Sequence, residues 1–130
     1  MNVMKEKAIF YRCELCGNIV GLIKDGGGEL YCCGKPMVKL EANTVDAAQE
    51  KHVPYFEKNG DKLHVQIGSV EHPMLEEHHI EWIAVETPNR MQRYLLKPGD
   101  KPVADFIIDS DDFVIYEYCN LHGLWKAASK

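Results

Sequence analysis

The sequence predicts a mainly β protein in two parts, a small cysteine-rich metal-binding domain followed by an antiparallel β-sandwich. Four of the five cysteines lie before residue 34. Short segments rich in β-branched and aromatic residues recur from Val53 onward, separated by turn residues, and no heptad, internal repeat or low-complexity tract is visible. We therefore predict a first domain at residues 1–38, a linker at 39–48 and a second domain at 49–130.

The composition is typical of a soluble globular protein, since 45% of the 130 residues are hydrophobic and 27% are charged. No stretch approaches the roughly 20 apolar residues that span a bilayer, and residues 1–7 contain no apolar signal core. The formal net charge of −5 argues against nucleic acid or an anionic membrane surface as a partner. We expect a cytoplasmic protein, in which a small anionic substrate would need local positive charge.

The first domain reads as short strands that deliver two pairs of cysteines. A strand at residues 8–11 leads into the first pair, with Gly17 allowing a tight turn beside it. A second strand at 19–23, a glycine turn at 26–28 and a third strand at 29–31 lead to the second pair. A unit of under about 40 residues rarely buries enough apolar surface to fold alone, and a bound metal is a standard remedy.

The cysteine spacing indicates a distorted tetrathiolate metal site. The chain has five cysteines, an odd number, and no export signal is visible. A disulfide framework is therefore a weaker explanation of the cysteines than metal binding. Two residues separate Cys13 from Cys16, but Cys32 and Cys33 are adjacent, unlike the usual zinc ribbon. Zinc is the default metal for four cysteines, mononuclear iron accepts them equally, and spacing alone does not separate the two.

The elements of the second domain follow from alternation and turn signals. We predict a short helix in the linker around residues 45–48, with Asn43 or Thr44 as its cap. Apolar residues alternate with polar ones along residues 62–67, which predicts a strand with one buried face. The further predicted strands cover residues 53–57, 80–85, 91–96, 103–108 and 113–118.

Four histidines and the last cysteine form a second candidate ligand set. Imidazole suits iron, copper, nickel and zinc, while a thiolate adds strong electron donation. A structural zinc site needs four ligands, whereas five protein ligands leave one open position on an octahedral metal for a small substrate. This mixture therefore favours redox chemistry. The residues are His52, His72, His78, Cys119 and His122.

Ordinary interpretations compete at each of these positions, because a lone histidine in a β-protein is most often a surface residue. His64 falls on the polar side of its strand and has no ligand-like neighbour, so we exclude it. His79 adjoins His78, and adjacent strand residues face opposite sides, so only one of the two points at the metal. Three charged residues are by default ordinary solvated or helix-end positions: Glu50, Lys51 and Glu117.

Together these motifs resemble one family. The adjacent cysteines, residues 43–54 (NTVDAAQEKHVP), the run from His72 to Met74, and residues 117–126 (EYCNLHGLWK) are similar to desulfoferrodoxin, the two-iron form of superoxide reductase. The resemblance covers nearly the full chain. Both ligand sets occur in the family's order and spacing.

The resemblance implies the fold and the ligands. It implies a desulforedoxin-type, rubredoxin-like first domain that binds iron, with zinc substitution possible, and an immunoglobulin-like β-sandwich with a second iron. His79 and Leu121 depart from the residues frequent in the family, but neither is a ligand position. The implied ligands of the first iron are Cys13, Cys16, Cys32 and Cys33; those of the second are His52, His72, His78 and His122 in the equatorial plane and Cys119 as the axial ligand.

The resemblance also implies an activity, the one-electron reduction of superoxide to hydrogen peroxide at the non-haem ferrous His4Cys site. This serves oxidative-stress detoxification in an anaerobe or microaerophile. Lys51 would attract the anion and help to deliver a proton, and Glu50 would ligate the ferric product state. A rubredoxin-like protein or another reductase would restore the ferrous state, and a homodimer is expected.

Two other classes of function remain open from the sequence. A pure electron carrier would use only the tetrathiolate iron, which leaves the histidines and Cys119 without purpose. A zinc-stabilised binding module would use the surfaces of the sandwich. A mononuclear iron oxygenase fits less well, because its usual site has two histidines and one carboxylate.

Overall fold

The computed structural model describes residues 5–129, and the chain separates into two compact units. The smaller unit is Lys7–Glu41, and among the described residues the larger contains residues 42–129 together with Lys5 and Glu6. Within the described residues, no helix is long and apolar enough to cross a membrane.

In the smaller unit, short antiparallel strands surround the first two cysteines. The sheet has the order β2, β1, β5 and consists of β1 (Phe10–Arg12), β2 (Ile19–Gly21) and β5 (Val38–Lys39), and a separate ladder pairs β3 (Tyr31–Cys32) with β4 (Lys35–Pro36). Throughout residues 7–41, all of them described, Cys13 is the only buried residue. The unit therefore lacks an apolar core of its own, as expected for a fold that a metal stabilises.

The larger unit is a sandwich of two antiparallel sheets. One sheet has the strand order β10, β7, β6 and the other β12, β11, β8, β9. Apolar side chains of both sheets form one buried cluster between them. The elements are α1 (Gln49–His52), β6 (Pro54–Asn59), β7 (Lys62–Ile67), β8 (Ile80–Thr87), β9 (Arg90–Leu95), β10 (Val103–Ile107), β11 (Val114–Cys119) and β12 (Gly123–Ala128).

The predicted alternation on β7 is confirmed. Leu63, Val65 and Ile67 are completely buried, whereas Lys62 and His64 are exposed. The central strand β11 differs, because all six of its residues are buried. Its outer face is covered by aromatic packing, such as the Tyr118 ring stacked on Trp82 at a centroid distance of 6.0 Å.

The linker helix lies later in the chain than predicted. It begins at Gln49, and the residue before it, Ala48, offers no side-chain cap. Asn43 adopts a left-handed conformation with φ 61°, and its amide bonds the Lys126 backbone in β12 instead of a helix end. The sequence also missed β12 itself, since alanine and lysine have low β propensity and the pairing with β11 decides its structure.

Candidate metal centres

The four early cysteines converge in the smaller unit. Their sulfur atoms all lie within 4.8 Å of one another. The Cys16 sulfur lies 3.6 Å from that of Cys32, which lies 3.9 Å from that of Cys33. All five cysteines of the chain are free of disulfides. The arrangement matches a tetrathiolate metal site.

Left-handed backbone lets the adjacent cysteines face the same point. Neighbouring residues of a strand point in opposite directions, but Cys33 and Gly34 leave β3 with φ of 54° and 74°. Backbone N–H groups of Cys16 and Leu15 lower the pKa of Cys13 to about 6. The surrounding sulfurs, Cys16 foremost, raise the pKa of Cys33 to about 12. Four thiolates at these distances repel one another, so the cluster fits a bound cation.

The second ligand set meets at one end of the sandwich. His52 ends α1, one residue away from the start of β6, and Cys119 is the last residue of β11. His72 and His78 lie on the loop between β7 and β8, and His122 lies on the turn between β11 and β12. Within each sheet, antiparallel pairing places these strand ends side by side, at the end of the sandwich where the ligands meet.

The four imidazoles form a square. Around it, neighbouring rings are nearly perpendicular, at 76° to 89°, with centroids 4.7 to 5.1 Å apart. The opposite pair, His52 and His78, is nearly parallel, with centroids 6.4 Å apart. The order around the square is His52, His72, His78 and His122.

Backbone contacts aim the ring nitrogens at the centre of this square. The Nδ1 atoms of His52 and His72 lie 2.7 Å from the carbonyls of Ala48 and Pro73, which leaves each Nε2 facing inward. The His52 Nε2 atom is 3.1 Å from that of His72 and 3.0 Å from Nδ1 of His122. A square with such sides has its centre about 2.2 Å from each nitrogen, close to the roughly 2.0–2.1 Å of zinc–imidazole bonds.

The thiol of Cys119 completes the cluster. Ligand atoms of His52, His72, His78 and Cys119 all lie within 4.8 Å of one another. His122 lies outside that group of four, but its Nδ1 atom is 3.8 Å from the Cys119 sulfur. The His78 Nε2 atom is buried and has no hydrogen-bond partner among residues 5–129. A buried imidazole nitrogen without a partner, beside other ligand atoms, fits a metal ion.

Burial keeps the histidines in the form that binds metal. It lowers the pKa of His72 to about 4, and it lowers the pKa values of His52 and His78 as well. The Lys51 ammonium adds a smaller contribution in the same direction at His52 and His78, so its charge acts on the cluster. Burial also raises the pKa of Cys119, although hydrogen bonds from the backbone N–H groups of Leu121 and His122 act in the opposite direction.

The remaining predicted or excluded residues lie around the cluster. Glu50 and Lys51 are exposed on α1 and belong to neither group of ligand atoms. The His79 Nδ1 atom lies 3.0 Å from the Leu75 carbonyl, outside the cluster. His64 is exposed and pairs with an aspartate, Asp105, at 2.6 Å.

Sequence reasoning missed three residues beside the cluster. The Trp125 ring stacks on His52 at 5.0 Å, and its N–H donates to the His122 carbonyl at 3.1 Å. Asn120 bonds the backbone on both sides of His78. We expected Glu117 to be an ordinary solvated or helix-end position, but this was wrong: it lies on the central strand β11 and is completely buried, and burial raises the pKa of its carboxyl well above the usual value. Only the position of these residues beside Cys119 and His122 in the sequence could have pointed to them.

Comparison with known proteins identifies the family. The family model for desulfoferrodoxin matches residues 44–128, and the model for the desulfoferrodoxin N-terminal domain matches residues 5–40. The chain belongs to the desulfoferrodoxin family. Desulfoferrodoxin of Syntrophotalea carbinolica is 54% identical over 124 residues, which cover 95% of this chain and 98% of that protein.

Two further relatives match the first domain and nearly the whole chain. Desulforedoxin of Megalodesulfovibrio gigas is 50% identical over 36 residues, covering 28% of this chain and 97% of that protein. The crystal structure of the superoxide reductase from Treponema pallidum matches with a TM-score of 0.76 and 33% identity, covering 94% of this chain and 99% of that one. The predicted fold class, a desulforedoxin-like first domain followed by a β-sandwich, is confirmed.

Proposed function

We propose that this chain is a superoxide reductase, which reduces superoxide by one electron to hydrogen peroxide. The observation that carries the proposal is the convergence of four imidazoles and one thiol on a single point. Five protein ligands leave room for one small ligand on a six-coordinate metal. Membership in the desulfoferrodoxin family and the likeness to a superoxide reductase structure support the proposal.

Iron is the proposed metal at both centres. The five ligands of the sandwich would hold the reactive iron, and the four early cysteines would hold the other, with zinc as the alternative occupant of that cysteine site. When bound in the ferrous state, the reactive iron supplies the electron, and the Cys119 thiolate adds electron density to it. The neutral imidazoles hold their nitrogens toward the ion through the Ala48 and Pro73 carbonyls.

Lys51 and Glu50 are the proposed residues that act beside the metal. Conversion of superoxide to hydrogen peroxide consumes one electron and two protons. Lys51 is exposed, and its positive charge contributes to the lowered pKa values of His52 and His78. It is therefore suited to attract the anion and to hold a water molecule that donates a proton. Glu50, its neighbour on α1, is the proposed further ligand of the oxidised site.

The net reduction requires an external electron donor, for which we propose a rubredoxin-like protein or another reductase. The homodimer and the cytoplasmic location stay predictions. The limits proposed for the first domain, the linker and the second domain are residues 1–38, 39–48 and 49–130.

A metal count joined to rapid kinetics tests the proposal. Anaerobically purified, reduced protein is mixed with a pulse of superoxide, and the absorption of the histidine site is followed. We expect two irons per chain and rapid oxidation of the histidine site. Zinc in the cysteine site together with iron in the histidine site would also agree with the activity. A histidine site that takes up no iron, or that superoxide leaves reduced, would refute the activity.

A further inference from the structure

Asn120 links the two loops that carry ligands of the sandwich site. It lies between Cys119 and His122, and its side chain reaches across to the loop of His78. The amide oxygen accepts a hydrogen bond from the His79 N–H at 2.9 Å. The amide nitrogen donates to the Glu77 carbonyl at 3.0 Å, and the Asn120 backbone N–H donates to the His79 carbonyl at 3.2 Å. These bonds hold the chain on both sides of His78.

The His78 loop depends on these bonds more than the other ligand segments do. His78 lies outside every helix and strand, and within the loop it exchanges backbone bonds only with Leu75, at 2.9 and 3.2 Å. The rings of His52 and His72 are each fixed by a carbonyl, but in the described part of the chain no such bond reaches the His78 ring. The direction of that ring therefore follows the position of its backbone.

We propose that Asn120 is a positioning residue that fixes His78 relative to Cys119. The inference deepens the proposed function and rests on it, since it concerns the same metal site. An amide carries an acceptor oxygen and a donor nitrogen at fixed places, so the Asn120 side chain serves the His79 N–H and the Glu77 carbonyl at once. Asn120 thereby sets the spacing of His78 and Cys119, two proposed ligands that come from segments 41 residues apart.

The test compares Asn120→Ala with Asn120→Asp in the full chain. Each protein is titrated anaerobically with Fe²⁺ against a chelator, and the thiolate-to-iron charge-transfer band of the oxidised site is recorded. We expect Asn120→Ala to weaken iron binding at the histidine site by about 10- to 100-fold and to shift the band. Asn120→Asp keeps the acceptor for His79 but loses the donor to Glu77, so its affinity should be intermediate.

Asn89→Ala is the matched control, because Asn89 is exposed in the turn at the far end of β8 and removal of its amide should change neither readout. Thermal unfolding of the metal-free proteins separates loss of folding from loss of positioning. If Asn120→Ala does not fold, Asn120→Asp decides the question alone. Wild-type affinity and an unshifted band in the variant that folds would overturn the inference. Failure of the wild-type site to bind iron would instead overturn the proposed function.

Discussion

At the residue scale, the proposed activity depends on which side chains touch the metal. Cys119 is buried at the end of β11, with its sulfur 3.8 Å from Nδ1 of His122. We predict that Cys119→Ser abolishes the thiolate-to-iron band of the histidine site, because serine supplies no sulfur donor. Absorption spectroscopy of the oxidised protein measures this band. Cys33→Ser is the control, because it alters the tetracysteine site and should leave the band of the histidine site in place. An unchanged band would remove Cys119 from the ligand set.

Glu117 gives a second prediction at this scale. Its carboxyl is completely buried, and neither oxygen has a hydrogen-bond partner among residues 5–129. Burial raises its pKa above the ordinary 4.5, so the unfolded chain releases a proton that the folded chain keeps. The contribution of Glu117 to the free energy of unfolding of the metal-free protein should therefore fall as pH rises above about 4.5, by about 1.4 kcal/mol per pH unit until the folded pKa is reached. The histidines with lowered pKa values contribute in the opposite direction below about pH 6.5, so the effect of Glu117 is read as a difference between two proteins.

Glu117→Gln should remove this contribution, so its stability relative to the wild type should increase with pH and it should be the more stable protein at pH 7. Urea unfolding of both proteins between pH 5 and 8 measures the difference. Glu57→Gln, which changes an exposed carboxyl, should keep the wild-type slope. Parallel curves for wild type and Glu117→Gln would show that Glu117 is ionised in the folded protein.

At the scale of elements, the turn after β7 holds the helix that carries Lys51. The Glu50 carbonyl accepts hydrogen bonds from the Val70 N–H at 3.0 Å and the Ser69 hydroxyl at 3.4 Å. Gly68 has φ +80°, and a Cβ atom there would meet the Val70 carbonyl oxygen of the same turn first, and would lie 2.7 Å from the Glu50 oxygen and 2.8 Å from the Lys51 carbonyl carbon. The close approach of this glycine therefore sets the position of α1.

We predict that Gly68→Ala destabilises the protein and slows its reaction with superoxide. The strained backbone and the displaced helix should together lower the free energy of unfolding by about 2–3 kcal/mol. Gly60→Ala is the control, since Gly60 has φ +63° but open space around it, and it should cost only about 1–2 kcal/mol. Equal stability and equal rates for the two variants would contradict this role of the turn.

Some strands and ligands could be predicted from the sequence, and others could not. The alternation on β7 was visible, because each strand residue reports its own face. The bonds of Asn120 and the bond of the Asn43 amide to β12 were not, since they join residues 41 and 83 positions apart. The strand β12 was not visible either, because its pairing with β11 decides its structure. The ligand set came from the resemblance and from residue chemistry, but the square order of the histidines required the fold.

At the scale of the whole molecule, an acidic chain is proposed to attract an anion. The formal net charge is −5, so attraction must come from local positive charge. The Lys51 ammonium contributes to the lowered pKa values of His52 and His78, which makes it the candidate for this charge. We predict that Lys51→Ile slows the reaction with superoxide and flattens its dependence on ionic strength, since salt of about 0.1 M screens charges beyond about 10 Å. Stopped-flow rates from low to high salt measure both effects.

Lys62→Ile is the matched control for this experiment, because Lys62 is exposed at the start of β7, the strand end away from the histidines. It should leave the salt dependence close to that of the wild type. The same rates and salt dependence in Lys51→Ile as in the wild type would confine Lys51 to an ordinary surface role.

The ratio of hydrogen peroxide formed to superoxide consumed tests the central claim most directly. Reduction yields one peroxide for each superoxide, whereas dismutation yields one peroxide and one dioxygen for every two. The measurement uses fully reduced, iron-loaded protein in excess over a superoxide pulse, with an oxygen electrode in the same cell. We predict a ratio of one with no dioxygen released. A ratio of one half, with dioxygen evolved, would contradict the account of this protein as a superoxide reductase.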